Sequence, residues 1–468
     1  MSESLEVWLD VDFLPERVQV GRLAHDRGAV RFSYEPAWLK HPLSFALDPD
    51  LTLGEGAFHP RPEQGNFRIF DDSAPDRWGQ MLMRRREALT AKDEGRAMRT
   101  LRAWDFLVGV QDITRPGALR FRRENTTAFL ADDTLSIPPV ANLRELERVA
   151  AELTAKRNDD LDSLRRWLGI LVAPGSSLGG ARPKANFVET DGTLWIAKFP
   201  ARDDERDVGA WEGLAYGLAK RAGVETAHSK VRSFGSDFHT FSVQRFDRVS
   251  EGRLFYASAM ALLRKDHSEG VSYLELAEFL HRQGAKDHIA ADLEQLYRRV
   301  AFNVAIGNRD DHLRNHGFLL TPTGWRLAPA FDLNPNLDKA EHVLNLDETD
   351  NRPSLATVIE TAEWYLPSKD RGAQIVAEVI AETRTWRQTA VRSGISRADI
   401  ELTAAAFAET DGYSMRLSPI HSRATPAEAA KLEPSIDEMQ AKGAEIPATD
   451  RGPRAPLHRE HKKRVLKK

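Results

Sequence analysis

The sequence predicts an α+β, bilobal fold in which a β-rich lobe precedes an α-helical lobe, with an accessory α+β subdomain ahead of both. Three observations carry that expectation. Two hairpin patterns, Asn186 to Phe199 and Val231 to Phe246, enclose one helical stretch; from about Ser258 the pattern turns helical; and residues 5 to 120 mix short β-prone runs with an Arg-rich helical stretch of their own.

In order along the chain, Leu5–Leu9, Val18–Leu23 and Ala29–Tyr34 are β-prone runs and the stretch after Pro75 reads as helix, which together define a subdomain over residues 1–121. The polar stretch Arg122 to Pro139 leads into a helical pattern over Leu143 to Leu171. The hairpins turn at Asp191-Gly192 and at Gly235-Ser236-Asp237, dipeptides suited to tight turns, and Val208 to Ala222 between them reads as helix. This is the β-rich lobe, 122–250. In the α-helical lobe, 251–421, Ser272 and Glu275 stand at capping-box spacing, and Leu293, Leu296, Tyr297, Val300 and Val304 line one helix face. Residues 422–468 are poor in large apolar side chains and close with HREHKKRVLKK, the composition of a disordered basic tail.

The 468 residues, 41% hydrophobic and 29% charged, are enough for a large core divided into two or three domains. A formal net charge of −4 and a pI near 6.4 argue against a surface built throughout for nucleic acid, so contact with DNA is expected to run through a partner. With no cysteine, disulfides, thiolate metal sites and cysteine nucleophiles are excluded, which suits a reducing cytoplasm. Acidic residues in MSESLEVWLDVDF stand where a secretory signal would be basic, and no apolar run approaches a membrane span. A cytoplasmic protein is expected.

The chemistry concentrates in IGNRDDHLRNHGFLLTPTGWRLAPAFDL, residues 306–333. Asp310 and Asn315 are five apart, the spacing at which a kinase catalytic loop places a base for the acceptor hydroxyl and a ligand for Mg²⁺. A hairpin pattern around Thr321 to Gly324 then delivers Asp332, so that hard oxygen ligands converge from two loops. Either loop residue alone would be read as a turn or capping residue. The ordered set is what speaks for phosphoryl transfer, because upstream, in GSSLGGARPKANFVETDGTLWIAKFP (175–200), Lys198 ends an apolar strand and Glu212 begins the next helix, as in a kinase Lys–Glu pair. Without them Lys198 would be a lysine reaching to solvent from a strand end and Glu212 a first-turn helix acid. Asp247, in SVQRFDR, would either bind a ribose or pair with a neighbouring arginine. Neither glycine-rich nucleotide fingerprint, G-x-x-x-x-G-K-[ST] or G-x-G-x-x-G, is present.

GARPKANFV, LWIAKFP, VQRFDR, GNRDDHLRN and LAPAFDL, in this order, resemble the signature segments of HipA-type kinases, the toxins of HipBA toxin–antitoxin modules, and GRLAHDRGAVRFSYEPAWLKHPLSFAL with FRIFDDSAPDRWGQ resembles that family's N-terminal subdomain. The likeness covers roughly residues 5 to 410. It implies a bilobal protein-kinase-like fold and a serine/threonine kinase using ATP and Mg²⁺, with Asp310 as base, Asn315 and Asp332 as metal ligands, and Lys198 on the ATP phosphates. It further implies Gln244 and Phe246 at adenine, Asp247 at ribose, and Ser177 as a loop serine that is autophosphorylated. Implied partners are a protein substrate of the translation machinery, such as an aminoacyl-tRNA synthetase, and a helix-turn-helix HipB-like antitoxin that binds operator DNA. Two classes compete. A dinuclear metallophosphatase would use the Gly307-Asn308-Arg309-Asp310 loop, but the chain has no Gly-Asp dipeptide. A catalytically silent repressor subunit or scaffold would keep the fold without ATP binding.

Overall fold

Leu5, Val7 and Leu9 are wholly buried while their neighbours in the strand are half-buried, so β1 (Glu3–Leu9) has one face on a core. It pairs antiparallel with β2 (Val18–Asp26), which pairs with β3 (Ala29–Tyr34); β4 (Leu119–Arg123) lies on its other edge, giving the order β3-β2-β1-β4. The last strand ends two residues beyond the subdomain limit expected at 121. The Arg-rich stretch is the helix Arg77–Asp93, started by Asp76, whose side chain accepts from the Gly79 N–H at 2.9 Å. In this computed structural model, residues 3–130, 137–154, 180, 182–249 and 252–417 are described. The pattern expected over 143–171 forms the helix Leu143–Thr154 within them.

Both hairpins form. β5 (Lys184–Val188) and β6 (Leu194–Lys198) turn at Asp191-Gly192, β7 (Ser229–Arg232) pairs with β8 (Thr240–Gln244), and the sheet runs β5-β6-β8-β7, all antiparallel. The helix Val208–Arg221 lies against it, with the Tyr216 and Phe241 rings 4.9 Å apart. Then come a two-residue ladder, β9 (Arg248–Val249) with β10 (Gly252–Arg253), and β11 (Tyr256–Ser258), which the sequence did not announce. It pairs with β12 (Gly317–Thr321), which pairs in turn with β13 (Gly324–Leu327). Around this small sheet stand the helices Tyr273–Gln283, Ile289–Ile306 and Lys369–Thr383. Ser272 caps the first of these helices, accepting from the Leu274 N–H at 3.1 Å, but the Glu275 carboxylate, expected to complete a capping box, pairs with Lys265 at 2.7 Å instead.

Polar contacts among buried groups tie the accessory subdomain to the lobes. Asp72 accepts from the Ser258 N–H at 2.7 Å and its hydroxyl at 2.8 Å, Lys184 and Asp76 form a buried ion pair at 2.7 Å, and the Gly117 N–H donates to Asp247 at 2.8 Å. One apolar cluster extends from Leu5 through Phe241 to Phe407. Met1–Met415 accordingly make one unit, and Arg416–Lys468 a second, described only to the end of the helix Ala408–Leu417. The expected tail, 422–468, lies outside the described residues. No helix among the described residues is long and apolar enough to cross a membrane.

Candidate active site

Lys198 is the last residue of β6, where the strand's apolar run ends at the edge of the core, and it is 9% exposed. The helix Val208–Arg221 is started by Asp207, whose side chain accepts from the Ala210 N–H at 3.0 Å, and this start places Glu212 one turn in, on the buried face. The Lys198 ammonium lies 2.6 Å from Glu212 Oε1 and 2.5 Å from Asp332 Oδ1. Desolvation opposes charge on Lys198, but Asp332 and Glu212 together outweigh it and raise its pKa. Desolvation likewise opposes ionisation of Asp332, and the nearby ammonium overcomes it, holding the carboxyl at about 2.

Asp332 has φ of +59°, the left-handed region that a residue with a Cβ rarely occupies. Such a conformation persists only where its surroundings impose it, and it clusters at functional sites. Beside it Ile196, Tyr216, Val243, Gln244, Phe246 and Phe331 line a narrow pocket that also reaches Lys198 and Asp332. Its volume is 20 Å³, room for about one water molecule. The Phe246 and Phe331 rings, both in its lining, lie 5.5 Å apart. The Gln244 N–H is already donated to the His228 carbonyl at 2.8 Å, whereas no backbone hydrogen bond engages Phe246 among the described residues.

The second half of the site follows the helix Ile289–Ile306. Gly307 ends it at φ +64°, and a Cβ there would collide with the Ala406 carbonyl, so the turn requires glycine. The next residues split two adjacent carboxylates between different environments. Asp311 is buried and accepts from Tyr273 Oη at 2.6 Å, Asn303 Nδ2 at 2.8 Å and His316 Nε2 at 2.7 Å. Asp310 is 55% exposed and pairs with Lys339 at 2.6 Å. The short 3₁₀ turn Leu313–Asn315 then buries Asn315, whose Oδ1 has no hydrogen-bond partner among the described residues.

Of the residues singled out from sequence, the structure joins Lys198, Glu212 and Asp332 by direct contact and puts Gln244 and Phe246 on the same pocket. Asp310 pairs with Lys339 rather than with any member of that group. Asp247 is reassigned. It is 2% exposed, does not line the pocket, and receives Arg245 at 2.5 and 2.8 Å, Arg248 at 2.6 Å and the Gly117 N–H. Its pairing with the neighbouring arginines takes the oxygens a ribose would need. Ser177 lies outside the described residues. Sequence reasoning missed Asp311, Lys339 and Tyr216. The doubled Asp310-Asp311 and the four-residue step from Glu212 to Tyr216 were available signals; nothing in the sequence marked Lys339.

Two family models match in succession: the HipA N-terminal domain over residues 7–105 and the HipA-like C-terminal domain over residues 176–387. The serine/threonine-protein kinase toxin HipA of Shewanella oneidensis is 26% identical over 221 residues, 40% of this chain and 49% of that protein. A putative kinase of Haemophilus influenzae is 26% identical over 181 residues, 34% of this chain and 52% of that one. The chain thus spans about half the length of these relatives. Among solved structures, HipA in a complex of the Shewanella oneidensis toxin–antitoxin system with HipB and operator DNA superposes with a TM-score of 0.60 at 16% identity, covering 88% of this chain and 97% of that one. That likeness shows the fold: a bilobal, kinase-like α+β architecture with an accessory N-terminal subdomain.

Proposed function

The chain belongs to the HipA family, and from that premise we propose that it is a serine/threonine protein kinase that moves the γ-phosphoryl group of ATP to a protein hydroxyl, as the toxin of a type II toxin–antitoxin pair. One observation carries the reading. A buried lysine shared by a helix carboxylate at 2.6 Å and a carboxylate following a hairpin at 2.5 Å is the arrangement with which kinases position ATP phosphates.

In this reading the Phe246 main chain and the Gln244 side of the pocket meet adenine, and Lys198 meets the phosphates. Asn315 and Asp332 would hold Mg²⁺, whose charge offsets that of the phosphates. The residues fit such an ion: leaving a buried amide oxygen bare costs roughly 1–3 kcal/mol, and the unpartnered Asn315 Oδ1 is the hard oxygen donor that Mg²⁺ takes. Asp310 receives the proton of the acceptor hydroxyl as its oxygen bonds to the γ-phosphorus and the bond from that phosphorus to the ADP oxygen breaks. Ser177 is a second acceptor, within the same chain. The protein acceptor is one of the translation machinery, such as an aminoacyl-tRNA synthetase, in the cytoplasm. The partner is a helix-turn-helix HipB-like antitoxin that carries the complex to DNA; the Shewanella oneidensis complex with HipB and operator DNA supports this.

Incubation with Mg-ATP followed by intact-mass and peptide analysis tests the reading. Wild type should gain a phosphate at Ser177, and Asp310→Ala should transfer about 10²–10⁴-fold more slowly with unchanged melting temperature. Equal turnover in the two proteins removes Asp310 from the mechanism. Absence of ATP binding by calorimetry would replace the kinase with the silent repressor subunit.

A further inference from the structure

Lys184 and Asn186 of β5 stand opposite Lys198 and Ile196 of β6 in the antiparallel register, so the four side chains leave the same face of the sheet. Ile196 and Lys198 line the narrow pocket, which puts Lys184 on the pocket face as well. Ala185, Phe187 and Ala197 leave the other face, where they share an apolar cluster with Trp78, Leu82 and Phe106 of the accessory subdomain.

That subdomain holds Lys184 at two points. Asp76 Oδ2 lies 2.7 Å from the Lys184 ammonium, and both side chains are buried, while Asp76 Oδ1 caps the helix Arg77–Asp93. Trp78 Nε1 donates to the Lys184 main-chain carbonyl at 2.9 Å. Two ammonium groups opposite one another on a strand pair repel, and here each has carboxylates of its own: Asp76 for Lys184, Glu212 and Asp332 for Lys198. The division is not complete. Desolvation opposes the Asp332 charge, Lys198 overcomes it, and Lys184 is the next cation that helps. A buried ammonium deprived of its carboxylate seeks another, and for Lys184 the acid already within its field is Asp332.

We propose that Asp76 is a positioning residue for phosphoryl transfer: from the accessory subdomain it holds the Lys184 ammonium and so leaves the Asp332 carboxylate to Lys198 and Mg²⁺. The inference rests on the kinase reading, and it gives the accessory subdomain a part in the chemistry of a site whose other groups come from the two lobes. Without the Asp76 charge, Lys184 competes with the metal for the same oxygens, so the loss appears as a higher Mg²⁺ requirement. Asparagine caps a helix as well as aspartate does, so Asp76→Asn removes the charge and keeps the helix start.

The test follows phosphoryl transfer from ATP by the full chain at saturating ATP while free Mg²⁺ is varied, with Mg-ATP binding measured by calorimetry. Asp76→Asn should need about 10-fold more Mg²⁺ for half-maximal rate, the effect of losing a group that orients a metal ligand, with KM for ATP at saturating Mg²⁺ close to that of wild type. The double variant Asp76→Asn with Lys184→Met should return to the wild-type Mg²⁺ requirement, because no ammonium remains to compete, and should melt above Asp76→Asn. Trp78→Phe keeps a ring in the apolar cluster and frees the Lys184 carbonyl, so it should raise the requirement by a smaller factor; this variant decides the matter if Asp76→Asn does not fold. The proposal is overturned if folded Asp76→Asn, or in its place Trp78→Phe, keeps the wild-type requirement, or if the double variant needs as much Mg²⁺ as Asp76→Asn. A wild type that neither binds Mg-ATP nor transfers phosphate removes the kinase reading and this inference together, whereas an active wild type with an unresponsive Asp76→Asn removes this inference alone.

Discussion

Two clusters of buried charge, around Asp247 and around Lys198, are built on opposite terms. At Asp247 one carboxylate faces two guanidinium groups, and these continue into main-chain carbonyls, Arg245 to Thr114 at 2.6 Å and Arg248 to Arg115 at 2.6 Å. Desolvation opposes the Asp247 charge, but Arg245 and then Arg248 overcome it and hold its pKa below the ordinary carboxylate range. At Lys198 the proportion is reversed: one cation faces two carboxylates, and Asp332 keeps 37% of its side chain exposed. A guanidinium does not give up its proton in a protein, whereas a carboxylate readily takes one. The first cluster is therefore locked and the second adjustable. Burial of charge does not mark a site. Incomplete compensation, beside a strained backbone and a bare Asn315 oxygen, does.

That contrast is broken or kept by a pair of substitutions. Asp247→Ala leaves Arg245 and Arg248 buried and uncompensated, and such a loss costs about 3–5 kcal/mol. Lys198→Met leaves two carboxylates, one of which can protonate and one of which meets water, so its cost in stability should be well below that of Asp247→Ala. Denaturant titration of both at neutral pH measures this. Equal losses would mean that the two clusters are the same kind of structure. In kinase assays the order should invert, with Lys198→Met losing transfer while Asp247→Ala, where it remains folded, keeps it.

The sequence disclosed what is local. Turn dipeptides placed both hairpins of the β-rich lobe, and the three- and four-residue steps from Leu293 to Val304 placed the helix ahead of the loop that carries Asp310 and Asn315. What it withheld depends on residues distant in the chain. Asp247 read equally as a ribose ligand or an ion-pair member because its third partner, the Gly117 N–H, comes from another subdomain. Asp311 gave no sign that Tyr273 and Asn303 would bury it and leave the exposed role to Asp310. Residues 334–352, with little periodicity, gave no sign that they bind back to the loop through Asn336 to Gly307 at 2.9 Å and Val343 to Arg309 at 3.1 Å.

That returning segment carries a third, weaker contrast, a buried base whose desolvation outweighs the nearby Asp311 carboxylate. His342 is 2% exposed, and burial, opposed by the Asp311 charge, lowers its pKa from 6.5 to about 4. Between those values the unfolded chain binds a proton that the folded chain refuses, so stability falls as pH drops from 6.5 towards 4. The full linkage is about 3 kcal/mol at the acid end. Unfolding free energies of wild type and His342→Leu measured across this window should converge or cross as the pH is lowered, since the variant lacks the penalty. Parallel curves would show that His342 titrates normally in the folded protein.

The smallest stability effect is expected where the two charges are most exposed, at Lys339 and Asp310, 42% and 55% open to solvent. An ion pair of that kind contributes about 0–1 kcal/mol, so Lys339→Ala should melt within a degree or two of wild type. Its effect on turnover should be larger than its effect on the fold. The Lys339 main-chain carbonyl accepts from Arg309 at 2.9 Å, so the returning segment holds its ammonium against the carboxylate proposed as the base. Removing the side chain frees Asp310 to adopt other rotamers, and the fraction correctly placed for the acceptor hydroxyl falls. The expected signature is a several-fold lower kcat with unchanged KM for ATP, restored in part by Lys339→Arg, which keeps the charge and the reach. If Lys339→Ala leaves kcat unaltered, the pair is a surface contact and Asp310 is positioned by the loop alone. If instead kcat rises, the lysine restrains the base, and the segment that carries it is an inhibitory one.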